Sequence, residues 1–275
     1  MAPLPVNFHR SFKPERRHLG ALLRYAALGH QGTYQEIAAE TGIPTGRSSG
    51  KVGPTLDYAT AMGLVEPEEG RPHAVKRPVL TPLGRVVYST DSYLSQEVTQ
   101  WLVHMNLCRG DQGAAAWHTV FARGRQELGS SFTKLQLEAY LVDRFGPGNQ
   151  RTGPLITTYT DDDALGGARI LVDQGDRLVR RKAPVLDAYA IAYSGMILAL
   201  MDTHFRGQGQ VTFSDFNKQT KWFDICLWEQ SDQERVFLAV ERRAYVSVDR
   251  QRRPWIVERN ASPDDVWPHI YDDLA

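Results

Sequence analysis

The segment Thr45-Gly46-Arg47-Ser48-Ser49-Gly50-Lys51-Val52-Gly53-Pro54 holds the residue types that bind phosphate. Glycines let backbone N–H groups approach an anion, hydroxyls donate to it, and Arg47 and Lys51 supply charge. The spacing is not that of a nucleotide-binding P-loop. Gly46 and Gly50 enclose three residues instead of four, and Val52 follows Lys51 where that motif needs Ser or Thr. The chemistry implied is contact with a polymer backbone, through Arg47, Ser48, Ser49, Lys51 and Thr55. The plain alternative is a pair of solvated turn charges.

Other cations fall at turns. Arg71, His73, Lys76 and Arg77 lie between Leu64-Val65 and Val79-Leu80-Thr81. Cations in such a loop grip a nucleic-acid backbone or minor groove, although Glu66, Glu68 and Glu69 on its outgoing side oppose this. Asp249-Arg250-Gln251-Arg252-Arg253 is the most basic short segment. It could bind phosphate, or pair with the acidic end around Asp264-Asp265 or Asp272-Asp273.

Cutting chemistry has weaker candidates. Were Phe223–Trp228 and Val236–Val240 a hairpin, Asp224 would face Glu241-Arg242-Arg243 and imitate a metal-dependent nuclease site. A helix from Asp232 to Arg243 fits better, with Ser231-x-x-Glu234 as its capping box and Val236, Phe237 and Val240 on one face. Strands Tyr245–Val248 and Trp255–Val257 follow. Thr160-Asp161-Asp162-Asp163 reads as a helix N-terminus rather than a metal site. The eight histidines show no HExxH spacing, and Trp117-His118 and His204 read as core or rim. Neither GxSxG nor a dinucleotide-binding glycine fingerprint occurs. No catalytic residue is assigned and no metal ligand is expected, unless nuclease chemistry brings a divalent ion.

The elements that must position these residues are legible. Pro14 and Gly29 bracket a helix with an apolar stripe through Leu19, Leu22, Leu23 and Ala26. Thr33-x-x-Glu36 is a capping box, and Gly42 is a left-handed C-cap. A second helix, expected to start with Pro54 at its first position, ends at Gly63. Two strands and their basic loop follow. This is the winged helix-turn-helix plan, whose commonest ligand is duplex DNA. Further on, Gln96–Leu107 is amphipathic. Thr133-x-x-Gln136 is a second capping box, Phe132 and Leu137 form a hydrophobic staple, and Gly146 ends that helix. The run Ala188–Met201 reads as a buried helix. The expected fold is mainly α with short β-wings. A winged helix-turn-helix domain fills residues 1–90, and a mainly helical domain fills 91–275, with a second, degenerate winged helix near its end.

Bulk properties set limits. The 275 residues are 42% hydrophobic and 23% charged, ordinary for a globular chain. Net charge is zero, but residues 1–90 hold 11 Lys and Arg against 7 Asp and Glu, leaving 21 against 25 beyond. Cys108 and Cys226 form no CxxC pair, which favours a reducing, cytoplasmic setting. No signal peptide opens the chain, and no apolar run approaches a bilayer span.

The stretches Phe8-His9-Arg10-Ser11-Phe12-Lys13-Pro14-Glu15-Arg16-Arg17 and Ile43–Gly53 resemble the SspB-like components of Ssp DNA phosphorothioation systems. The resemblance implies a subunit that binds double-stranded DNA and nicks one strand in an antiphage defence module, alongside the other proteins of that system. It supplies no catalytic motif to carry over. Without nicking, the residues read as a winged-helix DNA-binding regulator or adaptor, or as a winged helix that binds protein. A homodimer is compatible with any of these.

Overall fold

The computed structural model describes residues 2–46, 50–68, 74–148, 152–251 and 253–274. Of the expected interface residues, Arg47, Ser48, Ser49, Arg71 and Arg252 lie outside them. The chain is mainly helical with small antiparallel sheets and divides into two compact units, residues 1–181 and 182–275.

In the first unit, α1 (Arg16–Ala27) buries Leu19, Leu22, Leu23 and Ala26 along one stripe. α2 (Tyr34–Thr41) starts on the Thr33–Glu36 capping box and stops at Gly42, whose φ of 71° is left-handed. α3 (Val52–Ala61) begins two residues before the expected start at Pro54. The proline thus sits at the third helical position. The first-turn N–H groups have no partner inside a helix, so the missing N–H costs nothing there. β1 (Val65–Pro67) pairs antiparallel with β2 (Pro78–Leu80), Val65 opposite Leu80. Gly84, in α4 (Pro82–Thr90), lets that helix press on the turn before β1. A Cβ there would stand 1.8 Å from the Leu64 carbonyl oxygen.

α5 (Glu97–Leu107) is buried throughout its apolar positions. α6 (Ala115–Trp117) widens into a π-helical turn at His118–Arg123 and is followed by α7 (Arg125–Leu128). β3 (Ser131–Thr133) leads into α8 (Lys134–Phe145), capped by Thr133 and Gln136, with Phe132 and Leu137 both buried. α9 (Thr152–Thr160) ends where a new helix was expected to begin. The acids after it make ion pairs instead: Asp161 and Asp163 both hold Lys13. β4 (Leu171–Asp173) and β5 (Arg177–Arg180) complete a sheet of order β3-β5-β4.

In the second unit, α10 (Ala190–His204) is the expected buried helix. β6 (Gln210–Thr212), α11 (Phe213–Thr220), α12 (Trp222–Ile225) and α13 (Gln230–Glu241) follow, then β7 (Val246–Asp249), β8 (Ile256–Arg259) and α14 (Pro263–Val266). The helix expected over 232–243 spans 230–241, two residues earlier, because its box is built by Glu229 and Asp232, not Ser231 and Glu234. Lys182, whose Nζ lies 2.9 Å from both Asp232 oxygens, anchors that carboxylate. The sheet order is β6-β8-β7.

One pattern therefore recurs three times: strand, helices, strand, strand, with the first strand paired to the last and the last to the middle one. In the first copy the opening strand shrinks to a single bridge, Gly32 to Lys76. In the others it is β3 and β6. A threonine ends each opening strand and caps the next helix: Thr33, Thr133 and Thr212. The first two copies also match in sequence at an offset of one hundred, in Thr33/Thr133, Gly46/Gly146, Gly53/Gly153, Pro54/Pro154 and Thr60/Thr160.

Candidate nucleic-acid interface

Of the expected interface residues of the first unit, the structure describes Lys51, Thr55, Lys76 and Arg77. Ahead of α3, Thr45 bridges to Gly50, and the Lys51 N–H donates to the Pro44 carbonyl. The Lys51 ammonium turns inward to the Glu15 carboxylate and lies 5.6 Å from the centre of the Phe12 ring. Burial works against a charged Glu15, yet the Lys51 bond and the nearby His18 and Arg17 charges hold its carboxyl below the usual range. Thr55, expected to face a ligand, is 6% exposed. α3 is buried at Val52, Gly53, Pro54, Thr55, Tyr58, Ala59 and Ala61.

Among the described residues of the first hairpin, Arg77 is paired within the hairpin. Arg77 Nη1 donates to Glu68 at 2.8 Å. Lys76 lines a cleft of about 380 Å³ beside Tyr34, Asp57, Val65 and Glu66. Desolvation pushes Asp57 up to about 6, against the pull of Arg10 and Lys76. A half-buried carboxyl between α3 and the hairpin repels a phosphate backbone.

The second hairpin, β4–β5, turns through Gln174, Gly175 and Asp176 and carries no cation at its tip.

The third hairpin differs. Arg250 and Arg253 stand over the Trp255 ring, at 5.2 and 5.4 Å from its centre. Arg250 is held by Glu241, 2.5 Å away, and Arg253 is exposed. The acidic end does not take these arginines; Asp273 pairs with Arg243 at 2.7 Å and Asp272 with His269 at 2.8 Å. A groove of about 290 Å³ runs beside the tip, lined by Phe213, Ser214, Gln230, Gln233, Arg253 and Trp255, with one carboxylate, Glu234, which accepts from Gln230 Nε2 at 3.0 Å. It joins the basic hairpin to the polar start of α13. Gln, Ser and Arg are side chains that contact base edges and phosphates. The sequence pointed to the arginines but not to Trp255, which orders them.

The nuclease-like grouping does not form. Asp224 lies on α12 and accepts from Asn217 Nδ2 at 3.4 Å. Glu241 ends α13, where its carboxylate accepts the Val248 N–H at 2.9 Å and holds Arg250. Among the described residues no group of three or more His, Cys, Asp or Glu is placed to hold a metal ion. The buried His104, Tyr159 and Cys108 cluster is locked in uncharged forms. Burial pushes the histidine pKa well down and the thiol and phenol well up. No helix among the described residues is long and apolar enough to cross a membrane.

Residues 58–162 match the model of a family described only as a protein of unknown function, DUF4007. No curated protein matches the chain in sequence. In structure the chain is similar to SspB, whose magnesium ion-bound crystal structure aligns at a TM-score of 0.68 and 15% identity. A second SspB crystal structure aligns at 0.67 and 15%. Each alignment covers 98% of this chain and 88% of the other. The resemblance in the N-terminal stretches is thus matched by a shared fold over nearly the whole chain.

Proposed function

We propose that the chain is a DNA-binding component of a phosphorothioation system, and that its three repeated units are winged helices of which the third contacts duplex DNA. The observation that carries this is the third hairpin: an exposed arginine and a tryptophan beside the polar start of a helix. The first unit supports the same fold but contributes less, since α3 is buried and Asp57 and Glu66 lie beside it. Its 45–53 loop keeps a role through Arg47 and the backbone of its glycines. Wing cations position a protein on the phosphate backbone and make binding salt-dependent.

Binding of a labelled duplex across a salt series tests this. Arg253→Ala is expected to weaken binding and to reduce the salt slope by about 0.9, the value per neutralised phosphate on duplex DNA. An unchanged slope removes the third hairpin from the interface. Supercoiled plasmid with magnesium separates two further readings. Relaxation supports a nicking subunit, as the SspB resemblance implies. Binding without relaxation supports an adaptor.

A further inference from the structure

On another face of the first unit, α1 and α4 border an open groove of about 780 Å³. Its floor is nearly bare. Gly20 and Ala21 lie along it, and a Cβ on Gly20 would stand 2.7 Å from the Ser92 carbonyl oxygen and 3.4 Å from the Tyr93 ring. Glycine thus lets the segment after α4 close on α1 and fixes Tyr93 at the rim. Tyr88 and Tyr93 both line the groove, and Tyr93 is 62% exposed. Among the described residues, neither ring stacks on another aromatic ring. Tyr93 therefore presents an open ring face at the groove, the geometry an aromatic or base partner stacks on.

Two arginines and one carboxylate, Glu40, line the same groove. Arg17 and Arg24 stand seven residues apart on α1, on one face and about 10 Å along the axis. Arg17 bonds to Glu15 with a side chain still 70% exposed, and Arg24 is exposed without an ion pair among the described residues. The His30–Glu40 pair closes one end. Tyr25 also lines the groove. It is 3% exposed, and its hydroxyl has no hydrogen-bond partner among the described residues. A buried, unsatisfied hydroxyl costs stability unless a ligand or water engages it.

We infer that the α1–α4 groove binds single-stranded nucleic acid, with Tyr88 and Tyr93 as stacking platforms for bases and Arg17 and Arg24 along the phosphates. An exposed ring, Tyr93, and a partly exposed one, Tyr88, in one groove with two spaced arginines fit unstacked bases on a flexible strand. A duplex offers no free base faces to such rings. An acidic peptide would use the arginines but leave the tyrosines idle. The inference is independent of the third hairpin, because each site is read with its own probe: a labelled oligothymidylate here, a duplex there.

Wild-type protein is expected to bind oligothymidylate at low salt. Tyr93→Ala, at an exposed position, should weaken that binding about 5- to 150-fold, the range base–aromatic stacking supplies. Tyr93→Trp should retain it. Arg24→Ala should lower the salt slope by about 0.7, the value per phosphate on a single strand. Duplex binding should be unchanged in all three variants. The proposal is overturned if wild-type protein does not bind the oligonucleotide, or if Tyr93→Ala binds it as well as wild type. It is also overturned, in favour of a protein partner, if binding ignores the tyrosines and an acidic peptide competes it away.

Discussion

In the first repeat, the helix after the turn sinks into the structure and Arg77 of the hairpin pairs with Glu68. In the third, α13 leaves Gln230, Ser231 and Arg235 on the surface, and the hairpin raises Arg253 over Trp255. Strand pairing is the same in both. What differs is which face of the third element the core consumes. α3 is apolar or small at nearly every position, so packing takes it. α13 alternates buried Val236, Phe237 and Val240 with polar residues, so one face stays free. Shared topology therefore sets where an interface could lie, while the helix pattern decides whether one is there.

The comparison breaks first at its anchors. Four residues after each capping threonine comes one apolar side chain: Ile37, Leu137 and Phe216, each 0% exposed. If the three repeats are the same construction, all three should be core pins. Phe216→Ala is expected to cost about 3–5 kcal/mol, and Ile37→Ala and Leu137→Ala about 2–5 kcal/mol. Urea denaturation reads this directly. A loss near zero at Phe216 would mean that the third repeat is held together differently from the first two.

Much of this plan is legible in the residues alone. Thr33, Gly42, Thr133 and Gly146 bound their helices because a cap is a local event, decided by one hydroxyl or one positive φ. The third box lies two residues ahead of the expected one, although Ser231 and Glu234 fit the Ser/Thr-x-x-Glu/Gln pattern and Glu229 and Asp232 do not. Lys182, far away in sequence, selects the latter. Distance in sequence also hides the fates of Lys51 and of Asp161–Asp163. Their partners, Glu15 and Lys13, lie 36 and 148 residues away. The repeat is faint in the sequence because its strands are three or four residues long and its markers are a few glycines, prolines and threonines. The third copy keeps only Thr212, Asp215 and Phe216.

Asp57 sharpens the electrostatic half of the contrast. Burial lifts its carboxyl to about 6, while Arg10 and Lys76 pull the other way and Tyr34 stands nearby. The folded state therefore holds this proton more tightly than the unfolded chain does. Above pH 6 the ionised carboxylate costs stability. As pH falls through 6 toward the ordinary carboxylate range, the cost disappears. Asp57→Asn is expected to stabilise the protein by roughly 1–3 kcal/mol at pH 8, with the gain shrinking toward zero near pH 4. A pH series of denaturation midpoints checks it. A gain that stays constant with pH would mean that the asparagine acts by packing, and that the first cleft is not electrostatically strained.

The smallest effects test whether the threonine caps are equivalent. Thr33, Thr133 and Thr212 each accept the N–H three residues on, at 3.4, 3.1 and 3.1 Å. In the first two the bond is returned: the Thr33 N–H donates to Glu36 at 2.7 Å and the Thr133 N–H to Gln136 at 2.8 Å. The hydroxyl also donates to the acid at two of the three caps, Thr33 to Glu36 at 3.0 Å and Thr212 to Asp215 at 2.7 Å, but at Thr212 no backbone N–H bond is returned. Thr→Ala at each position is expected to cost about 1 kcal/mol, with Thr→Ser nearly neutral. Since alanine keeps the backbone N–H, the returned bond survives at 33 and 133, so Glu36 keeps one donor when it loses the hydroxyl, whereas Asp215 loses the hydroxyl with no returned bond to replace it. Thr212→Ala should therefore sit at the upper end of the three in matched thermal melts. If Thr33→Ala costs as much as Thr212→Ala, the returned N–H bond contributes little, and the three caps act through the threonine hydroxyl alone.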